Sequence, residues 1–223
     1  MEVDNADDKA YFFHGRPTLE CFDLNTNRWS QITTKMAPGS GRWPLKRGYS
    51  DFCMAIVKRK LYVFGGTFYD WALGGNLLMS LDLVTLEWTR LYGAPDAGVT
   101  PDLKGPGPRK QAMMWVDKAE TRLWLMYGEA DRAGAKQRGE MLHAASESHV
   151  HYDCWSWDIE GKQWRQERIV GNPPCPRAEA GIVHVSPSLV STKFNALTVV
   201  STEHLVEQGH HVRGLQRGSS YYA

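Results

Sequence analysis

Asp23–Trp29 reads DLNTNRW, Asp82–Trp88 reads DLVTLEW and Asp158–Trp164 reads DIEGKQW. The chain holds four Asp-Leu or Asp-Ile pairs, and in three of them a Trp stands six residues after the Asp; Asp102-Leu103 is the exception. With nine Trp in 223 residues, this is an internal repeat rather than a coincidence. Each copy reads as two antiparallel strands around a tight connection, with Asn25, Asn27 or Gly161 supplying turn chemistry. Alternating apolar and polar residues in LECFDL and RWSQI support a strand on either side.

Upstream of each copy an apolar run ends at a glycine position: DKAYFFHG at Gly15, KRKLYVFGG at Gly66 and TRLWLMYGE with Gly128. The adjacent Gly65 and Gly66 suit a backbone at positive φ that is approached too closely for a Cβ. His14 and Glu129 replace one member of the pair in the other copies, so the constraint is strictest in the middle one. A third phrase opens the unit, with Arg47 in LKRGYSDFCMAIV, Arg109 in GPGPRKQAMMWV and Arg177 in CPRAEAGIVHV. Pro and Gly before these arginines mark the end of a loop, and the apolar run after each marks a further strand. The spacing of the arginines suits a repeat of ~50 residues with loop insertions.

An arginine, an apolar strand, Gly-Gly and then Asp-Leu-x-Thr-x-x-Trp resembles the kelch repeat, over roughly residues 9 to 200 and most specifically from Arg47 to Trp88. The resemblance implies an all-β kelch-type β-propeller, like the central domain of galactose oxidase, built from four-stranded blades whose strands run A to D from the centre outward. The arginine phrase then gives strand A, the glycine phrase ends strand B, and the Asp-to-Trp phrase joins C to D. On that labelling residues 9–34 form a partial blade with strands B to D, 43–92 and 107–168 are full blades, and 174–201 supply strands A and B of another. Residues 1–8 read as a disordered N-terminus and 202–223 as a flexible tail, polar and without periodicity. Two full blades flanked by two partial ones do not close a ring. Propellers close with typically four to eight blades, so the expectation is a fragment or truncated form of a larger protein.

Successive antiparallel strands reverse direction, so the B-to-C loops and the links from D to the next A emerge on one face. The irregular length collects there: the stretches after Gly66 and after Gly128, and the links Tyr92 to Pro108 and Glu167 to Pro176. Long loops on a rigid scaffold commonly carry recognition, and this face is expected to bind a protein partner. Phe68, Tyr69 and Trp71 in TFYDWALGGN are candidate anchors, as is the charged loop from Glu129 to His151. Arg47, Arg109 and Arg177 begin the innermost strands and are candidates for holding acidic side chains; the resemblance itself assigns them structural roles. Trp29, Trp88 and Trp164 are expected to wedge between blades, and Gly65, Gly66 and Gly128 to be structural repeat positions.

Composition removes several other classes. A formal charge of +1 gives no field favouring nucleic acid, and no run approaches the roughly 18 apolar residues of a membrane span. The start MEVDNADDKA lacks a secretory pattern, so an intracellular, cytoplasmic or nuclear, location is expected. Cys21, Cys53, Cys154 and Cys175 match no CxxC zinc spacing and read as reduced, buried or half-buried thiols. His149 and His151, with Asp153 nearby, and the pair His210-His211 are formal metal candidates, but they read as solvated histidines. No GxSxG, HExxH, Walker-type or GxGxxG pattern occurs. No catalytic, cofactor or metal residue is therefore assigned. The expected role is a non-enzymatic interaction module of an intracellular scaffold or, by analogy, a ubiquitin-ligase adaptor. The alternative is a fragment of a propeller enzyme such as a copper-dependent oxidase.

Overall fold

In the computed structural model, residues 1–4, 6–45, 48–68, 75–93, 104–131, 148–176 and 178 are described, and the account concerns these residues alone. They form strands and turns with no helix among them. The first blade contains β1 (Glu2–Asp4), β2 (Lys9–Phe13), β3 (Thr18–Asp23) and β4 (Arg28–Thr33), paired in that order. The second contains β6 (Tyr49–Val57), β7 (Lys60–Phe68), β8 (Leu78–Asp82) and β9 (Glu87–Tyr92), with the short β5 (Lys35–Met36) added outside β9. The third contains β10 (Met113–Val116), β11 (Arg122–Met126), β14 (Cys154–Asp158) and β15 (Gln163–Glu167). A separate two-stranded ribbon, β12 (Glu129–Asp131) with β13 (Ser148–Val150), rises between β11 and β14.

The repeated Asp is explained by the turn it closes. The Asp23 Oδ1 accepts the amides of Asn25 and Thr26 at 3.0 and 2.8 Å, Asp82 those of Val84 and Thr85 at 2.9 and 3.0 Å, and Asp158 those of Glu160 and Gly161 at 3.1 and 2.8 Å. These bonds favour the ionised carboxylate, and they hold the Asp23 and Asp82 carboxyls below the usual range. The fourth residue after each Asp, Asn27, Leu86 or Lys162, has φ between 51 and 59°. In each blade the amide after the Asp donates to the A-to-B turn: Leu24 to Asp8, Leu83 to Arg59 and Ile159 to Thr121, at 2.9, 2.9 and 3.1 Å.

Alternation along the strands gives blade two one face toward blade one and one toward blade three. Tyr11, Phe13, Leu19 and Cys21 of blade one pack on Met54, Leu61, Val63, Met79, Leu81 and Trp88 of blade two. Ala55, Val57, Tyr62, Phe64 and Leu78 on the other side of blade two pack on Leu123, Leu125, Trp155, Trp157 and Trp164 of blade three. The inner strands β1, β6 and β10 lie beside one another in that order, the arrangement of adjacent blades around an axis.

Two expectations change. The N-terminal residues contribute β1, pairing Val3 with Ala10 at the inner edge of blade one, so that blade has four strands instead of three. Cys21 and Cys154 are buried and Cys53 is half-buried, but Cys175 is exposed. Burial pushes the Cys53 and Cys154 thiols up to about 12, so both stay protonated and unreactive at neutral pH. The segments 179–201 and 202–223, where a partial blade and a tail are expected, lie outside the described residues.

Candidate interaction face

The glycine and arginine phrases meet at the seam between blades two and three. Gly65 and Gly66 have φ of 70 and 91°. A Cβ on Gly65 would stand 2.5 Å from the Arg109 carbonyl oxygen. Without it the Gly66 amide donates to that oxygen at 2.9 Å, the Arg109 amide donates to Gly75 O at 3.0 Å, and the Gly75 amide donates to Gly66 O at 2.7 Å. The glycines thus let the end of one blade's second strand receive the backbone that starts the next blade. The same crowding recurs one seam earlier, where a Cβ on Gly15 would meet Tyr49 Cβ at 2.7 Å.

The Arg109 side chain completes this knot and is fully buried. Its Nε donates to Gly107 O at 3.1 Å and Nη1 to Tyr127 O at 3.0 Å, while Nη1 and Nη2 reach Asp153 Oδ1 and Oδ2 at 2.6 and 2.9 Å. Trp155 Nε1 adds a bond to Asp153 Oδ2 at 2.7 Å. Burial alone would raise the Asp153 carboxyl, but the Arg109 charge and hydrogen bonds outweigh it and hold the group well below the usual carboxylate range. The Arg109 side chain is therefore buried with its donors committed inside blade three, where they tie the start of that blade to the ends of its next two strands, while its backbone makes the bonds to blade two.

Around this knot the chain is stiff. The Lys110 amide donates to Glu129 O at 2.8 Å and the Glu129 amide returns a bond to Lys110 O at 2.9 Å, with the two side chains paired at 3.2 Å. This bridge roots the β12–β13 ribbon. His149 and His151, expected to be solvated, are 5% and 2% exposed, with ring centroids 4.8 Å apart and His151 Nε2 3.3 Å from Pro108 O. Among the described residues no group of three or more His, Cys, Asp or Glu side chains is placed to hold a metal.

Phe68 is the last residue of β7, its backbone paired with Tyr49. Tyr69, Trp71, Arg47 and Arg177 lie outside the described residues. Trp88 is fully buried and Trp164 is 8% exposed, each driven into the seam with the preceding blade. Trp29 is 59% exposed, and no unit among the described residues stands against that side of blade one. Two positions escaped the sequence reading. Asp153 was noted only beside the two histidines; its pairing with Arg109 gave no signal, because that arginine is 44 residues away. Phe13, Phe64 and Tyr127 each precede the glycine position, and Phe13 and Phe64 receive the next blade's Trp; that offset was open to inspection in FHG, FGG and YGE.

The family model described as the KLHDC2/KLHL20/DRC7 Kelch-repeats domain matches residues 4–195. No curated protein matches the chain. A solved structure titled "Structure of YjhT" is similar at 15% identity with a TM-score of 0.48; the match covers 74% of this chain and 42% of that one.

Proposed function

From the premise that this chain belongs to the kelch-repeat family, we propose that it is a protein-binding module that recognises its partner across the face where the B-to-C loops and interblade links emerge. Kelch-repeat domains commonly serve as protein-interaction modules. The single observation that supports the choice of face is the unequal distribution of irregular chain. On one face lie the tight A-to-B and C-to-D turns, with Asp8, Lys58 and Arg59, and Glu120 at positive φ and each Asp closing its own turn. At the opposite ends of the strands, residues 69–77 separate β7 from β8 and 127–153 separate β11 from β14, and Gly65, Gly66, Arg109 and Asp153 form a bonded base there.

Rigid base and long loops divide the work: the base costs no ordering entropy on binding, and the loops supply contact area. Phe68, Tyr69 and Trp71 are the proposed anchors, with Arg47 and Arg177 for acidic side chains. In this reading the module belongs to a larger intracellular scaffold, cytoplasmic or nuclear, and carries no catalytic role. A net charge of +1 gives it no general affinity for polyanions, and among the described residues no helix is long and apolar enough to cross a membrane.

The test is proximity labelling in cells with the wild-type chain, a Trp71→Ala and Tyr69→Ala variant of the loop face, and a Thr26→Ala and Thr85→Ala variant of the turn face. Partners lost with the loop variant and kept with the turn variant are expected. Loss only with the turn variant would place recognition on the opposite face. Stoichiometric copper or iron in the purified chain, with oxidase activity, would replace this function by catalysis.

A further inference from the structure

The close approach at Gly15 gathers three exposed residues at the seam between blades one and two. A Cβ on Gly15 would stand 2.7 Å from Tyr49 Cβ and 3.2 Å from Tyr49 O, and the Trp43 indole donates to Gly15 O at 3.3 Å. Arg16, Arg42 and Ser50 are the chain neighbours of Gly15, Trp43 and Tyr49, so the contact brings them to one corner, and all three are exposed. Among the described residues neither the Arg16 nor the Arg42 guanidinium has an ion-pair or hydrogen-bond partner. Ser50 Oγ donates to Asp51 Oδ2 at 3.3 Å.

The backbone presents this serine at the end of a strand pair. Tyr49 opposite Phe68 closes the β6–β7 ladder, and Ser50 opposite Thr67 is the pair before it. Asp51, at a φ of 59°, is passed over in the register, which resumes with Phe52 opposite Gly65. Gly48, on the other side, has a φ of 85° and open space around it. In the sequence Ser50 ends the stretch KRGYS, with Arg47 three residues before it and Lys46 four. Basophilic serine kinases grip a cation at that spacing with carboxylates of their peptide groove. We infer that Ser50 is a phosphorylation site for a kinase of this class, and that Arg16 and Arg42 supply the counter-charge for the phosphate.

The co-reactant is ATP. The Ser50 oxygen bonds to the γ-phosphorus, the bond from that phosphorus to the β,γ-bridging oxygen breaks, ADP leaves, and the serine proton passes to the carboxylate base of the kinase. Charge decides what the modification changes. Among the described residues Arg16 and Arg42 against Asp51 leave the corner at about +1, and the roughly −2 of a phosphoserine takes it to about −1. Guanidinium groups suit this ligand, because each offers paired N–H donors to phosphate oxygens. Arg16 belongs to blade one and Arg42 to the link entering blade two, so a phosphate held between them ties the two units across their seam. It also removes two cations from the face offered to a partner. That last consequence rests on the reading that the loop face binds a protein; the modification itself does not.

The experiment incubates the folded 223-residue chain with ATP, magnesium and a calmodulin-dependent kinase, an enzyme that takes arginine at this spacing, and locates phosphate by tandem mass spectrometry. Stoichiometric phosphate at Ser50 is expected; Ser50→Ala removes it, and Arg47→Ala slows its uptake several-fold. A folded chain without phosphate at Ser50, or with phosphate only at other residues, would overturn the inference. A synthetic peptide of residues 44–54, phosphorylated under the same conditions, would then put the failure in the fold and not in the sequence. Phenylglyoxal labelling reads the arginines. Labelling of Arg16 and Arg42 is expected to fall several-fold in the phosphorylated chain, while Arg28, exposed at the start of β4, stays unchanged as the internal control. Equal labelling of Arg16 and Arg42 with and without the phosphate would overturn their part as its counter-charge. No partner is present in either readout, so failure here is separate from failure of the loop-face reading, which the Trp71 and Tyr69 variant scores.

Discussion

A tryptophan in one sequence position meets two different environments in this chain, and the difference is measurable. Trp88→Ala empties a site that is fully enclosed and leaves the Thr34 hydroxyl without its indole donor, so a loss of roughly 3–5 kcal/mol in urea unfolding is expected. Gly65→Ala forces a Cβ into the Arg109 carbonyl oxygen at a φ of 70°, and a cost of about 1–3 kcal/mol is expected in the same assay. The Arg109–Asp153 pair has a pH signature. The folded-state carboxyl lies below its unfolded value of ~3.9, so the pair's contribution is complete above that value and is lost as pH falls through the folded one. Between pH 4 and 2 the unfolding midpoint of the wild type should therefore fall more steeply than that of Asp153→Asn, which starts lower because Arg109 stays buried without its counter-charge.

Strands and turns differ in how much of their cause is local. The Asp-to-Trp hairpins were readable because one carboxylate satisfies amides two and three residues ahead, an interaction contained in seven letters. The B strands were readable because an apolar run stops at glycine. β1 was not, because a three-residue edge strand has no pattern of its own; it forms by adding to the free edge of β2 and is held by Arg59 of the next blade, which pairs with Asp4 at 3.3 Å and also with Asp7. Arg59→Ala is expected to raise amide exchange at Val3 and Asp4 and to leave β2 unchanged. Glu2 on the same strand adds a dependence of opposite sign to that of Asp153. Burial pushes its carboxyl up to about 7 against a small opposing pull from the N-terminal amine, so its contribution is complete below the unfolded value of ~4.3 and is lost as pH rises through 7. Exchange at Val3 should climb between pH 6 and 8 beyond the intrinsic base-catalysed rise, and Glu2→Gln should abolish that excess.

Across the whole molecule, stability is expected to follow enclosure. Among the described residues blade two has neighbours on both sides and blade one on a single side, so exchange measured by mass spectrometry should be faster in peptides covering 18–33 than in those covering 60–82. The register of blades could be read from the recurring Asp, Gly and Trp. The fates of Arg109 and of His149 and His151 could not, because the groups they meet, Tyr127 and Asp153 for Arg109 and Pro108 for His151, stand far away in the chain. The two-residue β5 has a consequence of its own. It occupies the outer backbone donors and acceptors of β9 near Glu87 and Trp88, whereas β4 and β15 end their sheets with nothing beyond them among the described residues. Those two rims are the places where a foreign strand can zip on, so amyloid-like growth at high concentration should nucleate at β4 or β15 and spare the middle of the arc.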